Sequence, residues 1–443
     1  MHRRVGWKGA AIGVACSIGL LARTTVAGEY SYTLAYSADH SDNIGLTTTN
    51  EKSELTHVFD SGFILNQASR QLDARAAARA TYRAYQEDTF ADEATLGLDG
   101  ALVWKPLPDS FHWVANDVYT QVVADPTQAN TPSNRLNTNV LSTGPDIFWR
   151  PNPIHIVQLG GRYVINTFSG TDNAAISGNA DNRRTNGTLR WSYRYSPLTK
   201  FSIGHTTESV RFDDSGVGTN LDFRANETTA SIENRRASNT FTLDLGETRI
   251  DRSGQPEVRG KLGRLSLKRQ LATDSALSLS AERSLSDTAG ELLAGSGGSP
   301  PSGIPLEVNT SDIFTGKTVS MQYSKRLGGG DLGVSAFRRE RDFELAVGNN
   351  DDARGGNVQY SRLFSGRVSG AAAVSYVKTL FPTLAREDID KTATLSLQYK
   401  FSRTLLSSVT VGRRSRDSSD SSSEFEENRI ILSLVYNSIP VRW

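Results

Sequence analysis

His205, Glu208 and Ser209 are the residue types of a nucleophilic hydrolase. They sit close together on one predicted strand, near one of its ends. A Ser/His/acid triad is defined by convergence in three dimensions, so the set is read here as lumen or rim residues. The remaining histidines are His2, His40, His57, His112 and His155, and none has the two-His helical spacing or Cys/His clustering of a metal site. Cys16 is the only cysteine. No Gly-rich phosphate loop leads into a helix pattern, and no Gly-x-Ser-x-Gly elbow occurs. The sequence predicts a non-enzymatic protein with no cofactor and no metal.

A second set of residues carries charge rather than chemistry. Asp73, Arg75, Arg79, Arg83, Arg190, Arg194, Arg264, Lys268, Arg339, Arg341, Lys400 and Arg413 all fall on predicted inward strand faces. Asp222, Asp244 and Glu282 supply acids on other strands. Such residues can line a channel and select what passes, as rings of charge do. They can also pair with one another and stiffen the interior. The near balance of inward charge favours the paired network, because buried charges are normally paired.

The elements that must position these residues are strands. Apolar residues recur at period two almost everywhere after Gly28, and no window repeats them convincingly at helical spacing. Between Gln71 and Tyr85 the alanines would suit a helix. One face there reads Leu72, Ala74, Ala76, Ala78, Ala80, Tyr82 and Ala84, however, while Arg75, Arg79 and Arg83 keep to the other. The alternation recurs in Leu189–Tyr195, Val319–Tyr323, Leu395–Phe401 and Ile430–Tyr436. Several of these apolar faces end in aromatics, as where a strand leaves lipid at the headgroup level.

Connections fall into two alternating kinds. Tight turns are predicted at Lys105–Pro108, Arg150–Pro153, Ser196–Leu198, Arg236–Ser238, Thr273–Asp274, Gly328–Gly330, Ser365–Gly366 and Ser402–Arg403. Longer polar loops are predicted around 40–51, 86–93, 123–136, 169–183, 213–219, 287–310, 347–354 and 415–424. Short periplasmic turns and longer extracellular loops are the asymmetry of an outer-membrane barrel. The fold expected is an all-β, antiparallel, up-and-down transmembrane barrel of about 18–20 strands, with both termini on the periplasmic side. Asp287–Ser311 is the longest predicted loop, and its Gly/Ser/Pro content reads as a mobile surface segment.

Composition agrees with this architecture. The 443 residues are 37% hydrophobic, with a mean hydropathy of -0.40, too polar for a helical membrane protein. A soluble propeller or solenoid would show self-similar repeats, and only the alternation itself recurs. Arg3, Arg4 and Lys8 precede an apolar run from Gly9 to Leu21 and the small-residue site Thr25-Val26-Ala27, so residues 1–27 are expected to be a cleaved signal peptide and 28–443 the barrel. Without the four cations of that segment the net charge of +1 becomes -3, and no basic patch marks a nucleic-acid partner. Trp443, after Val441 and Ile439, is similar to a C-terminal signal for the barrel-assembly machinery. The expected partners are that machinery and outer-membrane lipid.

Tyr36-Ser37, Ser41-Asp42-Asn43-Ile44-Gly45-Leu46, Glu51-Lys52-Ser53 and Phe59-Asp60-Ser61-Gly62-Phe63 precede the Arg/Ala/Tyr strand that ends Tyr82-Arg83-Ala84-Tyr85. In this the chain resembles the outer-membrane barrels associated with PEP-CTERM/exosortase loci, including EpsL-type proteins of polysaccharide clusters. The resemblance implies a part in assembling, exporting or anchoring extracellular polysaccharide, with the polymer and its periplasmic export machinery as partners. It supplies no catalytic motif. The alternative reading is a general diffusion porin.

Overall fold

A computed structural model of the chain describes residues 28–170, 181–213, 222–252, 254–287, 312–345 and 347–442. The expected signal segment, Trp443 and residues 288–311 of the longest loop lie outside the described residues. The order is β1 (Gly28–Ser41), β2 (Glu54–Ala68), β3 (Leu72–Tyr85), β4 (Glu93–Leu107), β5 (Phe111–Val123), β6 (Arg135–Asn152) and β7 (His155–Gly170). Then come β8 (Asn182–Arg194), β9 (Thr199–Phe212), β10 (Phe223–Arg235), β11 (Asn239–Arg252), β12 (Val258–Ala272), β13 (Ser275–Asp287) and β14 (Ile313–Leu327). The series ends with β15 (Gly330–Phe343), β16 (Asp351–Leu363), β17 (Val368–Phe381), β18 (Arg386–Lys400), β19 (Leu405–Ser418), β20 (Phe425–Asn437) and a two-residue β21 (Val441–Arg442).

Each long strand pairs antiparallel with the next, and β1 pairs with β20 from Thr33↔Asn437 to Ser41↔Arg429. The sheet is therefore a closed barrel of twenty strands. The seam is broken near its periplasmic end, where Pro440 has no N–H to give. Ser438 bridges the gap: its N–H donates to Tyr32 O and its Oγ accepts from Tyr32 N–H, both at 2.8 Å. β21 then resumes pairing with Tyr30 and Glu29.

The register explains why alternation wrote this fold. Val409 and Val411 of β19 lie between Leu397 and Leu395 of β18 and Leu432 and Ile430 of β20. All six are exposed, and the same face continues through Val374, Val358, Val319, Ile203, Leu189 and Leu159. So much contiguous apolar surface is tolerable only against lipid. Closure removes the unpaired backbone that an open edge would leave in the hydrocarbon. Trp104 pairs with Trp113 near the short-turn end, and Trp191, Tyr399 and Phe401 lie at the same end of their strands. The chain is an outer-membrane β-barrel.

Short turns gather at the end that carries the N-terminus, the periplasmic end, and long connections at the other. Two connections were not among the loops expected: 253–257 and the brief 382–385. Asp351–Arg354, expected in a loop, belong to β16. Asp351 pairs in register with Arg341, and its carboxylate accepts from two inward guanidiniums, which extends the strand. Close approach of backbone requires glycine at several positions, Gly144 the tightest of them. A Cβ on Gly144 of β6 would stand 2.1 Å from the Gly161 carbonyl oxygen of β7.

Candidate functional site

The face opposite the lipid-facing residues lines the lumen, and its burial changes with depth. On β2, Glu54, Thr56 and Val58 near the long-loop end are buried, whereas Ile64 and Asn66 are exposed. On β3, Tyr85 and Thr81 are buried while Arg79 and Arg75 are exposed. On β18, Asp388 is buried and Lys400 is exposed. The lumen is filled toward the cell exterior and open toward the periplasm.

The filled part is built of ion pairs. Asp351 accepts from Arg339 at 2.7 Å and from Arg341 at 2.6 and 3.0 Å. Asp388 accepts from Arg386 at 2.7 and 2.8 Å and from Ser418 at 2.6 Å, and Asp390 accepts from Arg416 at 2.9 and 3.0 Å. Arg429 of β20 forks onto Asp39 of β1 across the seam. Each is a two-point guanidinium–carboxylate contact or shares a carboxylate with one, the strongest geometry available to such groups.

Two further pairs cross the lumen. β12 and β13 cease to pair at Gly263↔Arg283, while β13 and β14 stay paired to Asp287↔Ile313. This freed tip brings Asp287 to Arg184 of β8, with Nη1 3.0 Å from Oδ1, and Glu208 of β9 lies 3.5 Å from the same guanidinium. Asp312, just before β14, holds Arg252 of β11 at 3.1 Å. Beneath them Val210, Phe212, Phe223, Ile250, Leu285 and Ile313 form one buried apolar cluster. The roots of the longest loop are thus tied inward.

The periplasmic half is different. Arg75, Arg190, Arg194, Lys268 and Lys400 face the lumen, and among the described residues none has an acid within ion-pair distance. Asp73 is paired with Lys105. Asp99 and Asp244 lie nearer mid-barrel, the latter in register with Arg264.

Most residues anticipated from the sequence lie on the lumen face: Asp73, Arg75, Arg79, Arg83, Arg190, Arg194, Arg264, Lys268, Arg339, Arg341 and Lys400, with Asp244 and Glu282. Arg79 pairs with Asp60 at 2.9 Å, Arg83 with Glu93 at 3.0 Å, and Arg264 with Glu282 at 3.0 Å and Glu227 at 3.4 Å. Arg413 is a correction. It shares the outer face of Val409 and Val411 and pairs with Glu426 at 2.7 Å, because three cations crowd positions 413–416 and the inward ones are Arg414 and Arg416. Asp222 is a second correction: it precedes β10 and accepts from the Phe212 N–H at 2.9 Å. His205 lies on the outer face against Thr228 Oγ1 at 2.9 Å, while Glu208 faces inward to Arg184, so the hydrolase set does not converge. Arg184 and Asp287 escaped sequence reasoning, since Arg183-Arg184 hides which arginine faces in and Asp287 read as loop.

The Ser41-Asp42-Asn43 stretch is a clasp on the seam. Asn43 is buried, donates to Thr47 O at 2.8 Å and to Glu426 O at 2.9 Å, and accepts from Thr47 N–H at 3.1 Å. Asp42 accepts from the Asn428 backbone at 2.7 Å and its side chain at 2.8 Å.

Residues 353–438, spanning β16 to β20, match the family described as "Putative beta-barrel porin 2". No curated protein matches the chain. Among solved structures, the siderophore receptor PirA from Pseudomonas aeruginosa is similar at 11% identity and a TM-score of 0.45, over 93% of this chain and 80% of that one. OccK2 (OpdF) from Pseudomonas aeruginosa, in complex with glucuronate, is similar at 12% and 0.39, over 93% and 98%. The FrpB iron transporter from Neisseria meningitidis is similar at 9% and 0.47, over 93% and 82%.

Proposed function

We propose that this barrel is a non-enzymatic outer-membrane channel for hydrophilic solutes, with a preference for anions. Small barrels are filled by their own side chains, whereas barrels of sixteen strands and more enclose water. The observation that carries the reading is the division of lumen charge by depth. Most cations at the exterior mouth, though not Arg414, are matched by carboxylates and act as a fixed constriction. Arg75, Arg190, Arg194, Lys268 and Lys400 near the periplasm are unmatched, while the acids Asp73 and Glu233 of that half are taken up by Lys105 and by Lys200 and Arg235. A wall with an excess of one sign raises the local concentration of the opposite ion.

The test is the reversal potential of the purified barrel in a planar bilayer across a KCl gradient. An anion-selective current that moves toward the non-selective value when those cations are all changed to Gln supports the proposal. A cation-selective current, or none, would sink it.

Extracellular polysaccharide is the cargo suggested by the resemblance, and an acidic polymer would suit a cationic vestibule. Of the residues that carry the resemblance, Tyr36-Ser37 and Ser41-Asp42-Asn43 are occupied in closing the barrel, so cargo needs its own test. Surface and secreted polymer would be compared between the parent strain and a deletion of the gene. Unchanged polymer removes that cargo and leaves the channel reading standing.

A further inference from the structure

The outer face of the barrel carries cations just beyond the apolar belt, on the exterior side, and several stand directly opposite one another. Arg354 of β16 pairs in register with Arg338 of β15 on one side and with Lys378 of β17 on the other. Arg183 pairs with Arg211 across β8–β9, Arg249 with Arg259 across β11–β12, and Arg283 with Lys317 across β13–β14. Like charges facing each other across strands destabilise a sheet.

Neighbouring acids relieve only part of this. Arg338 has Asp352 at 2.8 Å, Arg183 has Asp213 at 3.1 Å, and Lys317 has Glu340 at 2.6 Å. Arg249 has Glu247 at 2.9 Å, Arg259 has Glu257 at 2.5 Å, and Lys378 is paired with Glu387. Arg211, Arg283 and Arg354 are exposed and have no acid within ion-pair distance among the described residues.

Their height on the wall identifies what they meet. Arg354 follows Val358 and Tyr360 up the lipid face, and Lys317 follows Met321 and Val319. These cations therefore stand where the hydrocarbon ends and the headgroups of the outer leaflet begin. The outer faces of β1–β5 carry no Lys or Arg at that level, so the band is one-sided. Each like-charged pair offers two convergent donors to one tetrahedral anion, the arrangement in which guanidinium is most effective toward phosphate.

We propose that the exterior edge of the β8–β17 wall binds phosphate-bearing headgroups of outer-leaflet lipid, with Arg211, Arg283 and Arg354 as its unpartnered anchors. Headgroup phosphates take the place that a second acid would fill between the facing cations. Bound lipid thereby completes the wall of the barrel on this side.

The test titrates the full-length barrel in neutral detergent with fluorescent bisphosphorylated lipid A, then with the same lipid lacking both phosphates. The expected result is that the phosphorylated lipid binds about tenfold more tightly or better, given the usual contribution of each basic residue near a membrane surface. Arg211→Gln, Arg283→Gln and Arg354→Gln combined should lower that binding to the level of the dephosphorylated lipid. Arg326→Gln, at a periplasmic turn, should leave it unchanged. Equal binding of the two lipids overturns the proposal, as does undiminished binding by the triple variant. Displacement of the lipid by millimolar inorganic phosphate also overturns it, since the site would then serve free phosphate. Heat-modifiable migration on a gel checks folding, and if the triple variant does not fold, the two-lipid comparison on the unaltered barrel still decides.

Discussion

Arg184 on β8 and Asp287 on β13 meet across the lumen although their strands are not neighbours in the wall. Arg184 is 1% exposed, so the pair lies in a region with little water. It is the point where the tip of the β13–β14 hairpin is held inward. Removing one partner of a buried pair typically costs about 3–5 kcal/mol. Glu208 at 3.5 Å partly compensates, so Asp287→Asn should fall at the lower end of that range. The urea midpoint in vesicles should drop and single-channel conductance should rise as the tip is released. An unchanged conductance would show that this tip does not limit the pore.

Asp351 serves Arg339 and Arg341 together and is itself buried. Asp351→Asn removes the carboxylate that two lumen-facing guanidiniums share. The reversal potential in a KCl gradient is expected to shift further toward the anion limit, while the fold survives with a lower urea midpoint. A shift toward cations would contradict the channel reading directly.

Gly144 of β6 faces Gly161 of β7 where the ladder skips Gly144 and Pro145, between Thr143↔Tyr163 and Asp146↔Gly160. Gly144→Val places a branched side chain where a Cβ alone would meet the Gly161 carbonyl at 2.1 Å. The neighbouring pairs Thr143↔Tyr163 and Val114↔Gly144 must give way, and an unpaired segment in lipid costs several kcal/mol per backbone group. The expected outcome is loss of the heat-modifiable folded band, whereas Gly100→Ala in the neighbouring β4, with 3.6 Å of clearance, should assemble normally.

The strands were legible because lipid on one side and water on the other impose a strict period of two, and the register of β18–β20 follows directly from Leu395, Leu397, Ile430 and Leu432. Face assignment failed at Arg413, where consecutive polar residues erase the alternation that elsewhere distinguishes in from out. The charged lining was visible as residue types, but its division into paired and unpaired halves was not. Pairing depends on which strands approach across the lumen, and Arg184 with Asp287 are 103 positions apart. The Ser-Asp-Asn stretch stood out in sequence, and its clasp on β20 could be seen only once the barrel closed.

Asn43 tests that clasp. Its amide makes four hydrogen bonds while fully buried, three of them to Thr47 in its own loop and one to Glu426 O of β20. Asn43→Ala removes the partners of the Glu426 carbonyl and the Thr47 N–H, which are only partly buried, so each loss falls toward the low end of the about 1–3 kcal/mol of an unsatisfied buried group. The urea midpoint should fall accordingly, with conductance unaltered, since the clasp lies at the seam and not in the pore. Equal stability of variant and parent would mean that water takes over these bonds.

Asp42 gives the same clasp a pH dependence. Burial works to raise its carboxyl pKa, but the hydrogen bonds from the Asn428 backbone and side chain outweigh it and hold the value below the ordinary 3.8. A carboxyl depressed in the folded state binds protons less readily than in the unfolded chain, so its stabilisation is complete above the unfolded pKa and is lost as pH falls through the folded one. Asp42→Asn should therefore be less stable than the parent by a constant amount above the unfolded carboxyl range, and the two should converge as pH falls through the lowered folded value. Urea midpoints of both proteins across that range provide the measurement. A gap that persists at the acid end would assign the difference to shape or packing at the seam rather than to the charge on Asp42.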